Sequence, residues 1–218
     1  MRLLRPLAVA SAALASLACL SSASARDPVV LVHGYTSNAS TWNTYRAWFD
    51  RDGYDTYAAS YDFTRSNRTS AVTVGTWVND ARRRFGASKV DLVGHSMGAL
   101  NSRYYLKFLG GTSRVDDWMS IAGVNYGTAL ANLCSGGILG PSCADLAIGS
   151  DILDDLNRGD DTPGRVRYGA AWSWCDGVIL PATNSRIAGG SNRYVGCVGH
   201  TRVLSDARTY RTVRDFVR

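Results

Sequence analysis

Val90-Asp91-Leu92-Val93-Gly94-His95-Ser96-Met97-Gly98 is the stretch on which the reading of this chain turns. Val90 to Val93 is a short apolar run with β-branched members that suits a strand, and Ala99 to Leu109 is rich in helix formers. Between them a serine is framed by glycines two positions away on either side. Where Gly-x-Ser-x-Gly joins a strand to a helix, the serine occupies a sharp, strained turn, and the glycines remove side chains that would collide there. The hydroxyl is then presented at a helix N-terminus. The amide of the following residue, Met97, is aimed at any oxyanion that forms. Five such residues occur by chance in unrelated chains, so the flanking strand and helix are what give the pattern weight.

Strand and helix signals alternate on both sides of this turn. Pro28 to His33 holds the continuous apolar run Val29-Val30-Leu31-Val32, as in a strand buried on both faces of a parallel sheet. Thr41 to Arg51 places Trp42, Tyr45, Trp48 and Phe49 on one helical face. Thr56 to Tyr61 reads as a strand. Ser70 to Phe85 reads as a helix burying Val74, Trp77, Val78, Ala81 and Phe85. Further strands are expected at Trp118 to Ala122, Val166 to Trp172 and Arg193 to Val198, and a last helix at Asp206 to Val217. Repeated β-α-β units make an α/β fold, a mostly parallel sheet with helices on both faces, whose ligands sit at the carboxyl ends of the strands.

The first 25 residues read as a leader. Arg2 and Arg5 precede a run of leucine and small residues from Leu7 to Leu20, and Ala23-Ser24-Ala25 matches an A-x-A cleavage site. The run is shorter than the roughly 20 residues of a membrane-spanning helix. Residues 26–218 then form one domain of an exported, extracellular protein. Setting Cys19 aside with the leader leaves Cys134, Cys143, Cys175 and Cys197, an even set that argues for disulfides. Pairing Cys134 with Cys143 closes a short loop, and pairing Cys175 with Cys197 joins two segments that the chemistry brings together. A zinc site lacks a C-x-x-C pair, so no metal is expected. The formal charge of +6 is scattered, and its one cluster, Arg82-Arg83-Arg84, suits the C-terminus of a helix. Nucleic acid is not implied.

A serine hydroxyl needs a base and an acid that orients the base. The chain has three histidines. His33 follows the first strand, where an oxyanion loop belongs; it reads as structural. His95 is the x beside Ser96, with its side chain directed away. By elimination His200, after the strand at Arg193 to Val198, is the base. The acid should lie between Ser96 and His200 and follow a strand, which selects Asp176. Asp160 and Asp161 precede that strand and emerge at its wrong end, and Asp145, Asp151, Asp154 and Asp155 read as solvated or capping residues. A second oxyanion donor is expected from Val32-His33-Gly34-Tyr35, through the Tyr35 amide. Gly123 to Ser150 is either a substrate-covering flap or a plain surface loop. Asn38-Ala39-Ser40 and Asn67-Arg68-Thr69 fit glycosylation acceptors.

With these residues in place, the chain resembles the small secreted bacterial lipases of the α/β-hydrolase superfamily, and more narrowly the class 2 triacylglycerol lipase and esterase group of actinomycetes and bacilli. The likeness rests on Val-His-Gly-Tyr, Gly-His-Ser-Met-Gly, the run Leu100 to Gly111, and Cys-Asp followed by Cys-Val-Gly-His. It covers essentially all of residues 26–218. The resemblance implies Ser96, Asp176 and His200 as the triad, the Tyr35 and Met97 amides as the oxyanion hole, hydrolysis of acylglycerol or related esters through an acyl-enzyme, and no cofactor. It further implies an ester or lipid substrate with transient contact at a lipid-water interface, and a monomer is expected. A polyester depolymerase, thioesterase or acyltransferase would use the same triad, and a non-catalytic secreted binding protein is the remaining alternative. The chain departs from the family at Val124-Asn125-Tyr126-Gly127-Thr128, where relatives often carry a proline and a histidine before Gly-Thr.

Overall fold

A computed structural model of the chain describes residues 26–134 and 140–217. The leader expected over residues 1–25 lies outside the described residues. Six parallel strands form one sheet: β1 (Val29–Val32), β2 (Thr56–Ala58), β3 (Val90–His95), β4 (Val115–Ile121), β5 (Arg167–Trp172) and β6 (Ser191–Tyr194), in the order β2-β1-β3-β4-β5-β6. The α/β reading of the sequence is the fold observed.

Strand alternation sorts the sheet's apolar side chains into two layers. Val30, Val32, Val90 and Leu92 pack on one face with Val74, Trp77, Val78 and Ala81 of α2 (Asn67–Phe85) and with Tyr105 and Leu106 of α3 (Met97–Phe108). On the other face Val29, Leu31 and Val93 meet Tyr45 and Phe49 of α1 (Asn43–Arg51) and Tyr210 and Val213 of the C-terminal helix (Ala207–Arg214). All four residues of β1 are fully buried. Burying each such side chain is worth about 1.5–3 kcal/mol. That explains why β1 carries an unbroken apolar run.

The elements differ from expectation mainly at the margins. The second helix starts at Asn67, three residues early, because the Ser66 hydroxyl accepts the Thr69 amide at its N-terminus. Its last turn holds Arg82, Arg83 and Arg84, and Gly86 ends it at φ +66°. Strand β2 stops at Ala58, short of Tyr61; it is an edge strand with only one neighbour to pair with. Strand β6 lies at Ser191–Tyr194, earlier than expected, and the chain turns at Gly196 with φ +91°. Asn67 is fully buried and its amide donates to the Ser142 carbonyl at 2.9 Å and to Asp145 at 3.2 Å. That sequon is therefore no glycosylation acceptor in the folded chain, and Asp145, expected to be solvated or capping, anchors the start of α2 from another segment.

Candidate active site

The turn after β3 carries the geometry its glycines foretold. Ser96 sits at φ 54°, ψ −124°, a conformation that costs a non-glycine residue about 1–3 kcal/mol. Three backbone contacts hold it: its amide donates to Ile121, and its carbonyl accepts from Ala99 and Val124. A Cβ at Gly94 would lie 2.6 Å from the Ala99 backbone, and one at Gly98 would lie 2.2 Å from the Val32 carbonyl. The Gly98 contact packs the start of α3 directly against the end of β1.

Around Ser96 the structure brings together residues far apart in sequence. Ser96 Oγ lies 2.9 Å from His200 Nε2. His200 Nδ1 lies 2.9 Å and 3.0 Å from the two oxygens of Asp176. Asp176 also accepts the amides of Val178 at 3.0 Å and Ile179 at 2.7 Å. Burial alone would raise its carboxyl. The His200 hydrogen bond and charge, joined by those two amides, outweigh burial and hold it below the ordinary carboxylate value.

The loops bearing Asp176 and His200 are fastened to each other three times. Cys175 is bonded to Cys197, with Cα atoms 4.9 Å apart. The His200 amide donates to the Asp176 carbonyl at 3.0 Å. The buried Ser173 hydroxyl accepts the amides of both Cys175 (3.0 Å) and Val198 (2.9 Å). Ser173 escaped the sequence reading, since a serine one turn before an acid carries no signal of its own.

His95, expected to point away from Ser96, engages the main chain of His200 instead. Its buried ring lies beside the His200 ring, with centroids 4.9 Å apart, and its Nε2 is 2.9 Å from the His200 carbonyl. Burial first, and then the His200 charge, push its pKa down to about 3. The ring is therefore neutral, and Nε2–H donates to that carbonyl. His33 is buried and stacked on Tyr61 at 4.1 Å. Its Nε2 accepts the Tyr61 amide, its Nδ1–H donates to the Gly34 carbonyl, and the Tyr61 hydroxyl donates to the His33 carbonyl. Asn101 of α3 donates to that same hydroxyl. This network braces the loop after β1, where a Cβ on Gly34 would come within 2.9 Å of the Ser96 Cβ. Met97 opens α3, and Tyr35 follows Gly34 along the edge of the cavity beside Ser96.

That cavity measures about 400 Å³. Ser96, His95 and His200 stand on its wall together with apolar Val124, Ala131, Leu146 and Ile179. Thr36, Ser37 and Thr201 add hydroxyls. The segment from Gly123 to Ser150, expected as flap or surface loop, supplies much of the apolar wall through its described residues, including the bonded pair Cys134 and Cys143. In the loop that departs from the family, Val124 and Thr128 face the cavity. Asn125 and Tyr126 are spent elsewhere: Asn125 donates to Ser120 and Ser185, and Tyr126 donates to Asp161. Asp161 also pairs with the buried Arg103 at 2.6 Å, so it has a structural partner away from Ser96. Among the described residues no group of three or more His, Cys, Asp or Glu is placed to hold a metal ion.

A model of the class 2 lipase family matches residues 26–215. The chain belongs to the class 2 lipases. A triacylglycerol lipase of Vibrio cholerae is 30% identical over 149 residues, covering 63% of this class 2 lipase and 47% of the Vibrio protein. The chain thus spans about half the length of the curated relative it matches. Among solved structures, the mature form of Bacillus licheniformis lipase BlEst2 superposes with a TM-score of 0.79 at 19% identity, covering 89% of this chain and 93% of that one. Aspergillus fumigatus lipase B gives 0.73 at 18% identity, over 85% and 51% of the two chains. These two likenesses establish the shared fold.

Proposed function

We propose that this protein hydrolyses carboxylic esters, acylglycerols or related lipids, by a serine acyl-enzyme mechanism. The observation that carries the reading is the hydrogen-bonded series Ser96, His200, Asp176 standing at the wall of an apolar cavity. Membership of the class 2 lipases supports it.

In this mechanism Ser96 Oγ attacks the ester carbonyl while His200 Nε2 takes its proton. Asp176 holds the imidazole through Nδ1 and stabilises its charged form. The amides of Tyr35 and Met97 receive the oxyanion. Collapse of the tetrahedral intermediate breaks the ester C–O bond, and the leaving alcohol takes the proton back from His200. Water, deprotonated by His200, then attacks the acyl-Ser96 carbon. Release of the acid restores the serine.

The same reading holds residues 1–25 to be an export leader, residues 26–218 to be a single catalytic domain, and the protein to act outside the cell as a monomer. The A-x-A pattern at Ala23-Ser24-Ala25 and the two disulfides support export.

Ser96→Ala tests the mechanism. It should lower turnover of p-nitrophenyl butyrate by about 10³-fold or more and abolish labelling by a fluorophosphonate, with an unchanged thermal melt. Turnover retained in the variant would remove Ser96 from its role.

A further inference from the structure

We propose that the Cys134–Cys143 disulfide is a specificity-determining part of the cavity wall and restricts the substrate to esters of short and medium acyl chains. The inference rests on the ester-hydrolase reading above and concerns the same cavity.

Size is the first observation. At about 400 Å³ the cavity lies toward the small end of ligand sites, which run from about 300 to 1,000 Å³. It must accept groups on both sides of the scissile carbonyl, so one modest acyl chain and a small alcohol fill it. The second observation is what closes its apolar end. Val124, Ala131, Leu146, Ile179 and the two cysteines belong to a buried cluster that continues into Ile152, Leu153 and Leu156. An acyl chain lengthening in that direction runs into packed core.

The third observation is how the wall is fixed. The segment ending at Cys134 is held by Thr128, whose hydroxyl donates to the Val178 carbonyl at 2.6 Å, and by Ala129, whose amide donates to the Leu180 carbonyl at 2.9 Å. The segment around Cys143 has further anchors of its own. Ser142 Oγ donates to the Phe63 carbonyl at 2.6 Å, and Asn67 donates to Ser142 and Asp145 from the start of α2. The two pieces also meet at one end, where the Thr128 amide donates to the Leu146 carbonyl at 2.9 Å, so without a second tie they could part only at the end that holds the cysteines. The disulfide, buried between them and exposed to the cavity, ties them covalently. A tightly packed, tethered wall yields little to an oversized ligand.

The test is an acyl-length series on the purified protein, from p-nitrophenyl butyrate to palmitate. Wild-type kcat/KM should fall about tenfold from octanoate to laurate, the low end of what poor fit in an apolar pocket produces. In Cys134→Ala/Cys143→Ala the laurate-to-butyrate ratio should rise about tenfold. Ala131→Leu, with the disulfide intact, should lower the octanoate-to-butyrate ratio by about the same factor. If the double variant does not fold, Leu146→Ala replaces it and should raise the ratio that Ala131→Leu lowers. Palmitate turned over as readily as butyrate by the wild type, or ratios unmoved in these variants, overturns the wall assignment while leaving ester hydrolysis standing. A wild type that cleaves none of the series overturns the ester-hydrolase reading itself.

Discussion

His95 shows what pattern reading misses at the scale of one residue. As the x of Gly-x-Ser-x-Gly it looks like a spacer, yet its neutral ring donates to the main chain of His200. That contact fixes the loop that carries the imidazole facing Ser96. A residue acting this way should influence rate more than binding, because misplacing a reacting group by even 1 Å is expensive. His95→Leu should therefore lower kcat on p-nitrophenyl butyrate by about ten- to a hundredfold with KM little changed. His95→Gln, which keeps an N–H donor, should recover most of the loss. Equal kcat in the wild type and His95→Leu would assign the ring to packing alone. Ser96, His200 and Asp176 could be found in the sequence because each follows a strand at the carboxyl edge of the sheet. His95, Ser173 and the His33–Tyr61–Asn101 network could not, since no sequence pattern ties these residues to the particular groups they bond.

Among the elements, β3 does two unrelated things. Its C-terminal end delivers Ser96, while its second residue, Asp91, is a fully buried carboxyl. The ladder between β3 and β4 is irregular between Val90 and Leu92, where Asp116 and Asp117 lie opposite. Burial first, and then the charges of Asp117, Asp27 and Asp116, push the Asp91 pKa up to about 9. Folding therefore raises this group above its ordinary 3.8. Between those two values the unfolded chain has lost a proton that the folded chain keeps. Each pH unit in that window should weaken the fold by about 1.4 kcal/mol. Asp91→Asn should flatten the dependence and raise the melting temperature more at pH 8 than at pH 5. Parallel melting curves for the two proteins across that range would argue against a protonated Asp91. Strand β1, shielded on both faces, is legible as an unbroken apolar run, and β3 is legible from Leu92-Val93 running into the glycine-framed serine. Edge strands β2 and β6 keep part-exposed residues that no periodicity constrains, and their limits differ from expectation. Buried β4 also begins three residues before the expected Trp118, because Asp116 and Asp117 interrupt its apolar pattern.

At the scale of the whole molecule, six strands running the same way bring all the site-bearing loops to one edge of the sheet. Only β5 and β6 precede the loops of Asp176 and His200, and those loops need the fastening that Cys175–Cys197 provides. Cys175→Ala/Cys197→Ala should leave a folded protein whose ester turnover at 25 °C drops severalfold and whose inactivation on warming comes well before global unfolding. Activity and circular dichroism recorded along the same temperature ramp would reveal that gap, and coincident curves would deny the clamp a local role. The overall topology followed from the order of strand and helix signals. The cavity did not, because its apolar wall is assembled from four chain segments whose meeting point no local pattern records. The opposite edge has a practical meaning of its own. There Arg26 lies over the Tyr54 ring and the Tyr54 hydroxyl donates to the Val217 carbonyl, so the segment before β1 and the segment after the C-terminal helix meet. Chain continuing beyond Arg26 or Val217 would leave the fold at that edge, away from the strand ends that carry Ser96, Asp176 and His200.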